Sequence, residues 1–337
     1  MSNVEARPDE IHCHSGTGSE TSIQVLSGRE VPLGGPRSML VRRTLPHRER
    51  SFIGAWCFVD HYGPADIREA NGMDVPPHPH TGLQTVSWLF EGEIEHRDSG
   101  GEHGFVRPGE VNLMTGGRGI AHSEVSTPST AILHGLQLWV ALPEADADAP
   151  RQFTHHAPER IALSDRSGCR IVGGEAHARV FIGSLAGETS PVPTYSPLLG
   201  VEITMGADAT LVLEVRSDFE HGVLVDTGEV AMEGVRLGPA DLGCRDAGAK
   251  TLRLRTLKSS PARIVLLGGE PFAEEIVMWW NFVGRSHEEI ERFRTEWQNE
   301  SDRFGQVEGY QGTTKRLPAP PLPGGTLKAR NRHGRRT

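Results

Sequence analysis

The chain has 337 residues, 36% hydrophobic and 6% aromatic, which is enough for two ordinary domains with real cores. Its formal net charge of −9 argues against a general nucleic-acid-binding domain, and no apolar run approaches membrane-spanning length. Four cysteines (Cys13, Cys57, Cys169, Cys244) stand far apart, so no disulfide framework or zinc ribbon can be read. Forty glycines and 23 prolines predict many short strands joined by turns.

The polar start, M-S-N-V-E-A-R-P-D-E, lacks the apolar stretch of a signal peptide, and the expected location is the cytoplasm. Residues 1–20 read as a flexible arm. His12-Cys13-His14 within it has no convergent fourth ligand and is not read as a metal site. A strand is predicted over Ser22–Leu26, then a turn at Gly34-Gly35-Pro36 before Arg43. Ser51–Asp60 is apolar enough for a buried strand, which His61-Tyr62-Gly63-Pro64 is expected to break.

The centre of the chain lies between His78 and Glu124. His78-Pro79-His80 and His122-Ser123-Glu124 each carry potential ligands at i and i+2, and extended backbone sends such pairs to one face. An isolated H-x-H carries little weight in a chain with 16 histidines. Two such pairs on neighbouring strands would bring three imidazoles and one carboxylate together, a set suited to iron, nickel, copper or zinc. Pro79 cannot donate to a ladder, so this strand belongs at an edge or is just beginning. Between the pairs, strands are predicted at Thr85–Glu91, Glu93–Asp98 and Val111–Met114, with turns at Ser99-Gly100-Gly101 and Arg107-Pro108-Gly109-Glu110. Thr115-Gly116-Gly117-Arg118-Gly119 allows close backbone approach just before the second pair. His96 and His134 read as hydrogen-bonded structural histidines.

After a strand at Ala131–Ala141, the acidic, alanine- and proline-rich residues 143–160 read as a linker. A second strand-rich half, 161–310, follows. It holds candidate strands at Arg179–Ile182, Leu198–Ile203, Ala209–Val215, Val223–Asp226, Val230–Glu233 and Arg263–Leu267. Its Asp226-Thr227-Gly228-Glu229-Val230 echoes Phe90-Glu91-Gly92-Glu93-Ile94, but neither H-x-H nor H-x-E recurs, so no metal site is expected there. Trp279-Trp280-Asn281-Phe282 reads as core. Ser286 with Glu289 forms a capping box, and Ile290, Phe293 and Trp297 give the apolar stripe of a helix. The tail, 311–337, carries seven basic residues and no acidic ones, and is expected to be a disordered extension.

The runs H-P-H-T-G-L-Q-T-V, M-T-G-G-R-G-I-A-H-S-E and H-G-L-Q-L-W-V resemble pirin, a member of the cupin superfamily. The resemblance runs from about Val41 to Pro143 and returns weakly at Gly268-Gly269-Glu270-Pro271. It implies an all-β chain of two tandem cupin (jelly-roll-type) β-barrels with a C-terminal helix. The N-terminal barrel would span 21–142, with outer strands from the region ending in V-R-R. The resemblance also implies one Fe(II) per chain on His78, His80, His122 and Glu124, other first-row divalent metals being alternatives. One departure is Gln84, where the general cupin pattern has glutamate. Several pirins cleave flavonols such as quercetin by 2,3-dioxygenation, so a phenolic substrate, O2 and a base role for Glu124 are implied. An apolar mouth lined by Val75, Leu83 and Met114 would then admit the phenol. The alternative is a non-catalytic, redox-dependent iron regulator binding a transcription factor or metabolic enzyme.

Overall fold

In the computed structural model, residues 23–33, 39–68, 72–164 and 166–329 are described, and His12-Cys13-His14 and the arm 1–20 lie outside them. The first half contains β1 (Gln24–Ser27), β2 (Arg29–Leu33), β3 (Met39–Leu45), β4 (Trp56–Asp66), β5 (Asp74–His80) and β6 (Leu83–Glu91). There follow β7 (Ile94–Asp98), β8 (His103–Val106), β9 (Val111–Thr115), β10 (Ile120–Ser126), β11 (Ile132–Ala141) and β12 (Gln152–His156). Eleven of these build two facing sheets, ordered β12-β9-β6-β11-β4-β3-β2 and β5-β10-β7-β8. Each half is a cupin-type jelly roll made of two facing sheets, not one sheet closed on itself. The second half repeats the plan with a seven-stranded and a five-stranded sheet.

Burial explains how the halves associate. Strand Thr251–Thr256 alternates strictly between exposed and buried, as a strand with one wet face must. Strands β6 and β11 are instead buried on nearly every residue. The two seven-stranded sheets meet: Trp56, Phe58, Trp88 and Leu138 share one core with Phe181, Leu224, Val265 and Leu267. Trp56 Nε1 donates across the junction to the carbonyls of Leu199 (3.2 Å) and Gly268 (3.1 Å).

Four expectations are corrected. The strand at the N-terminus does not join the first half: β1 pairs antiparallel with Asp241–Arg245 of the second, Gln24 opposite Cys244. The expected linker contains a single turn of 3₁₀ helix (Glu144–Asp146) and β12, which caps the first half's sheet beside β9. Strand β4 is not broken at His61–Pro64 but runs through to Asp66. Gly63 (φ +78°) makes this workable at a bulge opposite Leu133 and Gly135, where any Cβ would sit 2.1 Å from the Leu133 carbonyl oxygen. The tail expected to be disordered is laid down as far as residue 329, with residues 330–337 outside the described part.

That tail has partners its basic composition did not reveal. Leu317 N–H donates to Pro77 O at 2.8 Å, and Trp297 Nε1 donates to Leu317 O at 2.9 Å. Ala319 and Leu327 are buried with Trp280, Phe282, Ile290, Phe293 and Phe304. The helix α1 (His287–Gln298) sits in this same cluster through Ile290, Phe293 and Trp297. Ser286 Oγ accepts the Glu289 N–H at 3.2 Å, and Glu289 reaches back to the N–H of Arg285 at 2.7 Å.

Candidate metal centre

The centre is built where β5 and β10 pair, with His122 opposite His78 and Ile120 opposite His80. Strand β5 is the edge of its sheet, so the missing N–H of Pro79 costs nothing. Between His122 and Glu124 the register slips, and Val75 rather than Pro76 lies opposite Glu124. Two prolines, Pro76 and Pro77, occupy the slip, and the Pro77 carbonyl is the one held by Leu317. Gly117 in the preceding loop touches the backbone of Ala149, where a Cβ would stand 2.1 Å from the carbonyl oxygen.

His78, His80 and His122 converge, with one ligand nitrogen from each lying within 4.8 Å of the others. Their ring centroids are 4.3–5.1 Å apart. Glu124 makes its own grouping with His122 and His96, so the four expected residues and His96 fall into two overlapping triples that share His122. All four are buried, at 0–1% exposure.

Tautomers follow from the acceptors. A carbonyl only accepts, so the His78 Nδ1–H donates to Pro76 O (2.9 Å) and the His80 Nδ1–H to Asn281 O (3.2 Å). Both Nε2 atoms are thereby left as bare lone pairs aimed inward. His78 Nε2 is buried with no hydrogen-bond partner among the described residues. His80 Nε2 stands 3.1 Å from His122 Nε2. Burial pushes the His80 pKa down to about 3 and holds His78 and His122 well below 6.5, which keeps all three neutral. Neutral imidazoles with inward lone pairs are what a divalent ion requires, so these residues fit a metal.

His96, read as a hydrogen-bonded structural histidine, does make such contacts beside the centre, and its partner Asp98 and the distant Asn281 were not picked out. His96 and Asp98 have the same i, i+2 spacing as the candidate ligand pairs, and that was the available signal. Asn281 offered none, since it lies 201 residues from the histidine it holds. Gln84 is buried and donates to Thr115 Oγ1 at 3.0 Å. Val75, Leu83 and Met114, expected to line an apolar mouth, are only 0–1% exposed.

A second buried grouping, His61, His134 and Asp226, lies between the halves. Both Nε2 atoms fall on the same Asp226 Oδ1, at 2.7 and 2.6 Å, and Arg263 Nε donates to Oδ2 at 2.6 Å. These are direct N–H···O lengths, and the guanidinium already supplies the countercharge. The grouping is a hydrogen-bonded clamp, the role expected of His134.

Two stacked cupin domains, with the three-histidine grouping of the described residues in the first, define a bicupin protein. The Pirin family profile matches residues 38–140 and that of the Pirin C-terminal cupin domain residues 200–305. The chain belongs to the pirin family. It is 40% identical over 331 residues to the Pseudomonas aeruginosa protein named "Putative quercetin 2,3-dioxygenase PA1205", covering 96% of this chain and 98% of that one. A crystal structure titled quercetin 2,3-dioxygenase from Acinetobacter baumannii superposes with a TM-score of 0.82 at 35% identity, over 91% of this chain and 97% of that chain. A bacterial pirin from Escherichia coli in complex with nickel(II) shares the fold, with a TM-score of 0.52 at 17% identity over 74% of this chain and all of that one.

Proposed function

We propose that this pirin is an Fe(II)-dependent dioxygenase that cleaves flavonols such as quercetin across C2–C3, with release of carbon monoxide. The reading is carried by one observation: ring nitrogens of His78, His80 and His122 lie within 4.8 Å of one another at buried positions. With Glu124 they would hold one ion per chain. Such an ion supplies a Lewis-acidic, redox-active centre where a chelating oxygen substrate and O2 can meet. The protein's own part is to keep three imidazoles neutral and to present the Glu124 carboxylate beside them. That carboxylate would take the proton of the flavonol 3-hydroxyl, leaving an electron-rich ring for O2. The quercetin dioxygenase names of two relatives support this assignment.

One observation favours the second reading, an iron-dependent regulator that binds a protein partner: His78, His80, His122 and Glu124 are each only 0–1% exposed. Turnover decides. Iron-loaded protein mixed with quercetin in air should consume oxygen and bleach the flavonol absorbance, and His80→Ala should do neither. No oxygen uptake with any chelating phenol, together with partner capture that differs between ferrous and ferric protein, would establish the regulator instead.

A further inference from the structure

His96 is 3% exposed, stands on β7 opposite Glu124 with its ring 5.2 Å from that of His122, and has no place in the ligand set proposed above. Its Nε2 lies 3.1 Å from Asp98 Oδ2, and its Nδ1 lies 3.4 Å from His122 Nδ1. Asp98 is itself fixed: Oδ1 accepts the N–H groups of Gly100 (2.7 Å) and Glu102 (3.2 Å). A carboxylate held by two backbone donors is an acceptor, so the His96 proton belongs on Nε2. His96 Nδ1 is then a lone pair, and its neighbour His122 Nδ1 must carry the hydrogen. That leaves His122 Nε2 bare and facing His80 and His78.

We infer that His96 is a positioning residue that fixes the His122 tautomer, so that Nε2 is presented to the metal. The inference rests on the reading of His78, His80, His122 and Glu124 as ligands. Geometry separates it from a role as a fifth ligand. An ion on His96 and His122 Nδ1, with another on His122 Nε2, would need His122 to lose both ring protons and bridge two cations. The Asp98–His96–His122 chain instead keeps every buried nitrogen in it paired or free to coordinate, and charged groups that orient a ligand through hydrogen bonds tune metal affinity. Phe153 of β12 lies against the His96 ring, centroids 4.8 Å apart, and holds it in this plane.

The test has two readouts that do not depend on turnover. In metal-free protein carrying 15N-labelled histidine, NMR should find the His122 proton on Nδ1 in the wild type and in His96→Gln, whose amide both donates and accepts. In His96→Leu the proton should redistribute toward Nε2. Nickel(II) affinity, measured by competition with a chelator, should fall roughly 10–100-fold in His96→Leu and be largely restored in His96→Gln. Wild-type His122 protonated on Nε2 overturns the inference even if His96→Leu fails to fold. Unchanged tautomer and affinity in His96→Leu overturn it too, as does a second bound ion that this variant alone loses. His78→Ala is the separate control: full nickel(II) affinity in that variant removes the metal centre itself, and the role of His96 with it.

Discussion

Glu124 stands where the β5–β10 register slips, and it is the only acid in the proposed ligand set. Glu124→Gln keeps an oxygen that can coordinate but loses the charge and the basicity. Iron occupancy should fall modestly while turnover drops by about 10²–10⁴-fold. Metal retention with full rate would mean the flavonol arrives already ionised. His221 makes the contrasting case, in the second half and away from any ligand set. It is fully buried, neither ring nitrogen has a partner among the described residues, and burial pushes its pKa down to about 4. The folded state therefore favours the neutral ring. Its contribution to stability is complete above about pH 6.5 and drains away toward pH 4, because the unfolded chain takes up the proton first. Within that window the slope approaches about 1.4 kcal/mol per pH unit. His221→Leu should narrow the gap between denaturant midpoints at pH 7 and pH 4.5 and leave metal content at one per chain. At this scale the sequence was most readable where candidate ligands lie two apart on one strand. His78, His80 and His122 could be seen that way; Asn281, brought in by the fold, could not.

The β5 edge strand, the cap of α1 and most of the short strands follow from local chemistry: proline lacks a donor, Ser286 offers an oxygen, and turn residues punctuate apolar runs. Three elements did not. Strand β1 is four residues long, and nothing within it tells which half's sheet edge it completes. Strand β12 hides in an acidic, proline-rich stretch because an edge strand can be polar on both faces. The tail reads as disordered because it is short of apolar residues, but Ala319 and Leu327 are buried in one cluster with Trp280, Phe293 and Phe304. Leu327, 4% exposed, should therefore matter well beyond what its place near the end suggests. Leu327→Ala should cost about 2–5 kcal/mol in denaturant unfolding. A change below a few tenths of that would show that the segment only rests on the surface.

The two jelly rolls are joined by a shared core and by buried polar ties: Asp226 with His61 and His134, and Arg50 with Glu220 at 3.4 Å. For Asp226, burial works to raise the pKa, but the hydrogen bonds from His134 and His61 and the charge of Arg263 prevail and hold it far below the usual carboxylate range. Asp226→Ala would strand two imidazoles and a guanidinium at once, and should cost about 3 kcal/mol after allowance for the partial exposure of Arg263. The loss should lower both halves together, with tryptophan fluorescence and far-UV circular dichroism still changing in a single transition. Two separated transitions would mean the halves are independent bodies in contact. The placement of β1 bears on how the protein is made. Ser27 and its hydrogen-bonding partner Asp241 are 214 residues apart, so the strand leaves the ribosome long before the sheet it completes exists. At about 5–20 residues per second it waits on the order of ten seconds or more, an unpaired edge while the first half is already assembling. The stitch that completes the second half's sheet is thus translated 214 residues ahead of its partner, and the nascent chain is obliged to keep it unengaged until then.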